Sequence, residues 1–128
     1  MEKQIQQVMD FHLAFNHPVE YAPRLIPVDR ALMRHNILNE EVVELLDASI
    51  KGHLVECADA ICDCIYILLG TAHELGIADK IPACFDEVQR SNMSKLGENG
   101  KPIFREDGKV EKGPNYEKPN LKEIVYGK

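Results

Sequence analysis

The chain has no basic block, no glycine-rich phosphate loop and no apolar run of membrane-spanning length. Without clustered Lys and Arg, and with a formal net charge of -6, a nucleic-acid-binding surface is not expected. Neither the Walker pattern nor G-x-G-x-x-G occurs, so any phosphate must be held by something other than a glycine loop. The longest apolar stretch, around Ile65 to Ala72, is bounded upstream by Asp63 and is far too short to cross a bilayer. Met1-Glu2-Lys3-Gln4 is polar and lacks an apolar signal core, so no secretory leader is expected and the cytoplasm is the expected compartment. There is no C-x-x-C pair. The four cysteines, Cys57, Cys62, Cys64 and Cys84, sit in helical patterns and read as reduced, buried thiols rather than zinc ligands. None of the five histidines follows a Glu by three residues, which disfavours the Glu-x-x-His signature of di-iron carboxylate bundles.

What is present is helical. With 128 residues and 45% hydrophobic content the chain fits one domain over 1–128, its helical part about 1–96 and a loop-rich tail 97–128. Ile5, Val8, Met9 and His12 predict a first helix over about Lys3 to Phe15, ended by Asn16-His17-Pro18. A proline-punctuated connector leads to a second helix, about Asp29 to Ile50, with Asp29 as N-cap and Gly52 as its stop. Its apolar stripe is Leu38, Val42, Leu45 and Leu46. A third, about His53 to Leu75 and stopped by Gly76, is expected to bury Leu54, Ala58, Ile61, Cys62, Ile65, Leu68, Leu69 and Ala72. The fourth begins near Ala78 or Asp79, tolerates Pro82 in its first turn and runs to about Lys95. From Gly97 helical periodicity vanishes, and Asp107-Gly108 predicts a small β-hairpin within Lys101 to Gly113. The expected fold class is therefore all-α, a four- to five-helix bundle with an irregular C-terminal tail.

The second and third helices carry acidic pairs at i,i+3 spacing: Glu41-Val-Val-Glu44, directly after Glu40, and Glu56-Cys-Ala-Asp59, followed by Asp63. At about 100° per residue each set falls on one face of its helix. Like charges so stacked cost a few tenths of a kcal/mol per pair, so a cation is the expected compensation. Hard oxygen ligands from two facing helices suit Mg²⁺, with Mn²⁺ as a substitute.

The pattern E-x-x-E, a short gap, then E-x-x-D resembles the metal-binding signature of the all-α nucleoside triphosphate pyrophosphohydrolases. That superfamily includes MazG-like proteins, dimeric dUTPases, dCTPases and phosphoribosyl-ATP pyrophosphohydrolases, and the likeness spans roughly residues 30 to 96. The resemblance implies Glu41, Glu44, Glu56 and Asp59 as metal ligands, with Asp63 for a further ion or a coordinated water. It implies hydrolysis of a nucleoside triphosphate, standard or not, to the monophosphate and pyrophosphate. Glu40, turned about 100° from Glu41, is the candidate base for the attacking water. A homodimer or homotetramer is expected, since the family commonly pairs subunits and four helices leave apolar stripes to cover.

For the substrate, Asn92 and Lys95 continue the stripe of Ile81, Phe85 and Val88 and are expected to meet base, sugar or phosphate. Lys112 and Tyr116, with Arg105 and Lys109 nearby, lie in a glycine-rich cationic segment suited to closing over a triphosphate. His12, His35 and His73 read as packing or surface residues, and Tyr66 as a core tyrosine. Two other readings stand beside the main one: a phosphoribosyl-ATP pyrophosphohydrolase, and a non-enzymatic module whose acidic ridge binds a basic partner.

Overall fold

The computed structural model describes residues 1–127. The fold is all-α, of the helical-bundle class. Among the described residues it comprises α1 (Glu2–Ala14), α2 (Val28–Lys51), α3 (Leu54–Glu74), a 3₁₀ turn (Ala78–Lys80), α4 (Ile81–Met93) and α5 (Lys122–Tyr126). One two-stranded hairpin, β1 (Ile103–Phe104) and β2 (Val110–Glu111), completes it. Among the described residues no helix is long and apolar enough to cross a membrane. The chain forms two compact units, Met1–Asp79 and a second from Lys80 onward.

In the first unit α2 and α3 form an antiparallel hairpin, and α1 packs on α3. The turn between them is set by Gly52, at φ 74°, where a side chain would be strained. Gly52 N–H donates to the Ser49 carbonyl (3.3 Å) and His53 N–H to the Ala48 carbonyl (2.9 Å), the paired bonds of a Schellman stop. The N-cap of α2 is Pro27, one residue outside the helix, and Asp29 lies in the first turn without a capping hydrogen bond. Its expected capping role is corrected accordingly.

The core of this unit is part polar. Val8, Ala48, Ala60, Leu69 and Ala72 are buried, and so are His12, Arg34, His73 and Glu74. Arg30 grips Glu74 with two bonds (2.9 and 2.7 Å), and Arg34 adds a third at 2.8 Å. The remaining donors of Arg34 reach Thr71 Oγ1 and the Ile67 carbonyl, both at 2.7 Å. Gly70 makes this threading possible: a Cβ there would lie 2.5 Å from Arg34 Nη2 and 2.6 Å from His12 Nε2. His12 and His73 are packing residues, bonded to the carbonyls of Pro18 and Ile5. His35 is exposed.

Much of the expected apolar burial does not occur within the chain. Of the α3 stripe only Leu69 and Ala72 are buried; Ala58 and Cys62 are exposed, as are Leu54 (82%), Ile61 (47%), Ile65 (45%) and Leu68 (53%). On α2, Val42, Val43, Leu46 and Ile50 are exposed too. The reason is geometric: Gln4, Gln7 and Val8 of α1 stand beside Cys62, Ile65, Tyr66 and Leu69 of α3, and Leu54, Ile61 and Leu68 lie outside that contact. Tyr66 is likewise exposed, edge-on to Phe11 at 5.5 Å, rather than a core residue. The cysteines are free, Cys62 exposed and the other three half-buried, so the expectation of buried thiols is corrected.

The second unit is α4 with the tail folded along it. The hairpin pairs Ile103 with Glu111 and Phe104 with Val110, turned by Gly108 at φ 84°. Beyond it, Gly113 N–H donates to the Lys95 carbonyl at 2.8 Å. A Cβ on Gly113 would meet the Leu96 carbonyl at 2.3 Å, so only glycine allows this approach. Asn120 N–H donates to Glu87 (3.0 Å), and Ser91 Oγ to the Glu117 carbonyl (2.8 Å). The helix α5 lies in a segment whose composition gave no helical periodicity.

Candidate functional site

The α2–α3 hairpin brings the two acidic pairs together. A cleft of about 230 Å³ is lined by Glu44 and Asp47 from α2, Glu56 and Asp59 from α3, and Lys51 and His53 at the turn. Further along the hairpin Glu41 meets Glu44 on its own helix and Asp63 across it. Glu44 belongs to both groups, so all five expected ligands form one ridge.

Glu41 is distinct within it. Its Oε2 is enclosed and receives no hydrogen bond, and the carboxyls around it cannot donate when ionised. Desolvation first, then hydrogen bonding and repulsion from Glu44 and Asp63, push its pKa up to about 7. Burial foremost, with the charges of Glu41 and Asp63, also pushes the Cys64 thiol up, which favours the protonated form. An enclosed carboxylate oxygen without a donor, among hard anionic ligands, fits a divalent cation. Among the described residues, no three His, Cys, Asp or Glu side chains stand close enough around one point to hold an ion as they are. Glu44, Glu56 and Asp59 are exposed and like-charged, so they repel one another across the cleft.

The shift of Glu41 has a measurable sign. Its folded pKa lies above its unfolded value of 4.5, so the proton stabilises the fold below pH 4.5, and that contribution is lost as pH rises through about 7. Discounted for solvent, the metal-free loss is roughly 2 kcal/mol. His12 opposes it in acid: desolvation holds its pKa below 6.5, and its contribution is lost as pH falls below that value. The melting-temperature difference between wild type and Glu41→Gln in EDTA isolates the first effect. It is expected to shift in favour of the variant between pH 5 and pH 8, and a flat difference would contradict the enclosed carboxyl.

Glu40 is exposed and borders the ridge from α2. In the second unit, Lys112 Nζ lies 4.7 Å above the Tyr116 ring, and the Lys95 carbonyl anchors neighbouring Gly113. Asn92 is exposed at the end of α4. The expected inward stripe of α4 is corrected: Phe85 is 60% exposed, whereas Ser91 is 1% exposed. The tail selects the Glu87–Ser91–Ser94 face because its backbone groups find acceptors and donors there. Asp47, Lys51 and His53 are cleft residues that the E-x-x-E and E-x-x-D pattern did not include; Asp47, three residues after Glu44, was the available signal.

A family model described as phosphoribosyl-ATP pyrophosphohydrolase matches residues 8–92. The match contains every carboxylate of the ridge and ends at Asn92; Lys95, Lys112 and Tyr116 lie beyond it. No curated protein matches the chain.

Proposed function

The chain belongs to the phosphoribosyl-ATP pyrophosphohydrolase family, within the all-α nucleoside triphosphate pyrophosphohydrolases, and from that premise we propose a magnesium-dependent hydrolase of nucleoside triphosphates. The family supports an enzyme that cleaves a nucleotide pyrophosphate linkage; the ion, the substrate and the cleavage point are our reading. The products are a nucleoside monophosphate and pyrophosphate. The observation that carries the proposal is the enclosed, donorless Glu41 Oε2 beside Glu44 and Asp63.

Glu41, Glu44, Glu56 and Asp59 would hold Mg²⁺, with Asp63 completing the set and Mn²⁺ able to substitute. The ion, when bound, supplies Lewis acidity toward phosphoryl oxygens and toward water. Glu40, at the edge of the ridge, accepts the proton of the attacking water. Asn92, Lys95, Lys112 and Tyr116 are assigned to the substrate, the lysines to phosphate and Tyr116 to stacking; the pre-stacked Lys112–Tyr116 pair supports this. The second reading, phosphoribosyl-ATP as substrate, is favoured by the family description. The deciding experiment is pyrophosphate release from a panel of ribo- and deoxyribonucleoside triphosphates and phosphoribosyl-ATP, with Mg²⁺. Release from none of them, with no Mg²⁺ effect on melting, would overturn the enzyme and leave the acidic interaction module.

We also propose that a second copy covers the exposed face of the hairpin. Leu46 and Ile50 of α2, and Leu54, Ile61, Ile65 and Leu68 of α3, lie on the far side of both helices from the carboxylates. An uncharged stripe on two antiparallel helices is self-complementary under a twofold axis. Light scattering is expected to give a dimer or tetramer, and Leu46→Glu to shift it to monomer by placing like charges in the interface. A monomeric wild type at tens of micromolar would remove this reading.

A further inference from the structure

The cleft of about 230 Å³ has basic groups at one end only: Lys51, the last residue of α2, and His53, which precedes α3. They flank Gly52, and the two Schellman bonds hold the turn that carries them. Among the described residues Lys51 pairs with Asp47 at 2.9 Å, both side chains more than half exposed (58% and 59%). Such a pair is weak and exchanges readily for a multiply charged anion. The same end of the cleft meets the first turn of α3, which begins at Leu54 with no side-chain cap and carries Glu56.

Resting on the reaction proposed above, we infer that Lys51 and His53 bind the terminal phosphoryl groups of the substrate, those that leave as pyrophosphate. Carboxylates cannot take phosphoryl oxygens directly, because both are anionic acceptors. Oxygens not shared with cations therefore need donors, and the α2–α3 turn is where this cleft provides them. The polarity of the cleft follows: the leaving end lies at the turn, and the nucleoside end lies toward Glu41 and Asp63.

The test uses the full chain with Mg²⁺ and the variants Lys51→Met, His53→Asn and their combination, with Lys51→Arg as the charge-conserving control. Three quantities are read: KM for the best nucleotide, product inhibition by pyrophosphate and by the nucleoside monophosphate, and the Mg²⁺-induced rise in melting temperature. The double variant is expected to weaken pyrophosphate inhibition and raise KM on the order of tenfold each. Monophosphate inhibition and the Mg²⁺ effect should stay, and Lys51→Arg should lie near wild type. Unchanged pyrophosphate inhibition in the double variant overturns the assignment, as does equal weakening for both products. If wild type hydrolyses no nucleotide, the reaction proposal fails separately, and titration calorimetry of Mg²⁺ with pyrophosphate then decides. Pyrophosphate binding lost in the double variant supports the site; no binding to wild type overturns it.

Discussion

Glu41→Gln is expected to lower pyrophosphate release at least about a hundredfold while making the metal-free protein more stable at pH 8. The first effect follows from the several kcal/mol that a bound divalent ion contributes, each 1.36 kcal/mol being tenfold in rate. Glutamine keeps the shape of the side chain but removes the charge that the ion requires. The second effect follows because Glu41 Oε2 is enclosed without a donor and faces Glu44 and Asp63. Removing the charge ends that repulsion, and the gain is roughly 2 kcal/mol after discounting for solvent. The opposed signs make the result diagnostic, since a structural glutamate would lose activity and stability together. Steady-state kinetics, with thermal melts in EDTA and in Mg²⁺, test both. Full activity in this variant would end the metal-ligand assignment.

Glu74→Gln is expected to lower stability by about 3 kcal/mol or more, the cost of removing one partner from a buried ion network. Glu74 is 1% exposed and pairs with two guanidiniums, one of which, Arg34, is itself 5% exposed. Burial acts to raise the Glu74 pKa, but the bonds from Arg30 and the charges of Arg34 and Arg30 outweigh it and hold the carboxyl below its usual range. Its contribution is therefore present above pH 4.5 and lost as pH falls below that value. The first unit should melt on the order of 10 °C lower in the variant. The Mg²⁺-induced rise in melting temperature should survive, because the network and the ridge occupy different turns of the hairpin. A variant as stable as wild type would show that Arg30 and Arg34 find other acceptors.

The helix ends were legible because their causes are local. Gly52 needs a positive φ, Gly76 is likewise positive at 69°, and Asp107-Gly108 makes a tight turn wherever the chain puts it. Each was readable from one or two residues, and each lies where it was expected. The carboxylate ridge was legible for a similar reason: i,i+3 spacing places Glu41 with Glu44 and Glu56 with Asp59 on single faces before any packing is known. The family model matches residues 8–92, a range that contains those pairs.

Burial was not legible, because it belongs to pairs of surfaces rather than to one segment. Arg34 and Glu74 look like ordinary charged helix residues until α2 and α3 are apposed and Gly70 makes room for the guanidinium. The inward face of α4 turned on where Ser91 meets the tail, about a hundred degrees from the apolar stripe. Among five like carboxylates, only apposition enclosed Glu41 beside the half-buried Asp63 and left Glu44, Glu56 and Asp59 exposed. Sequence by itself determined the four long helices, their glycine stops and the acidic faces, since backbone preference and side-chain periodicity act over a few residues. Tertiary structure alone decided which charges lose their water, because desolvation depends on what the rest of the chain sets against them.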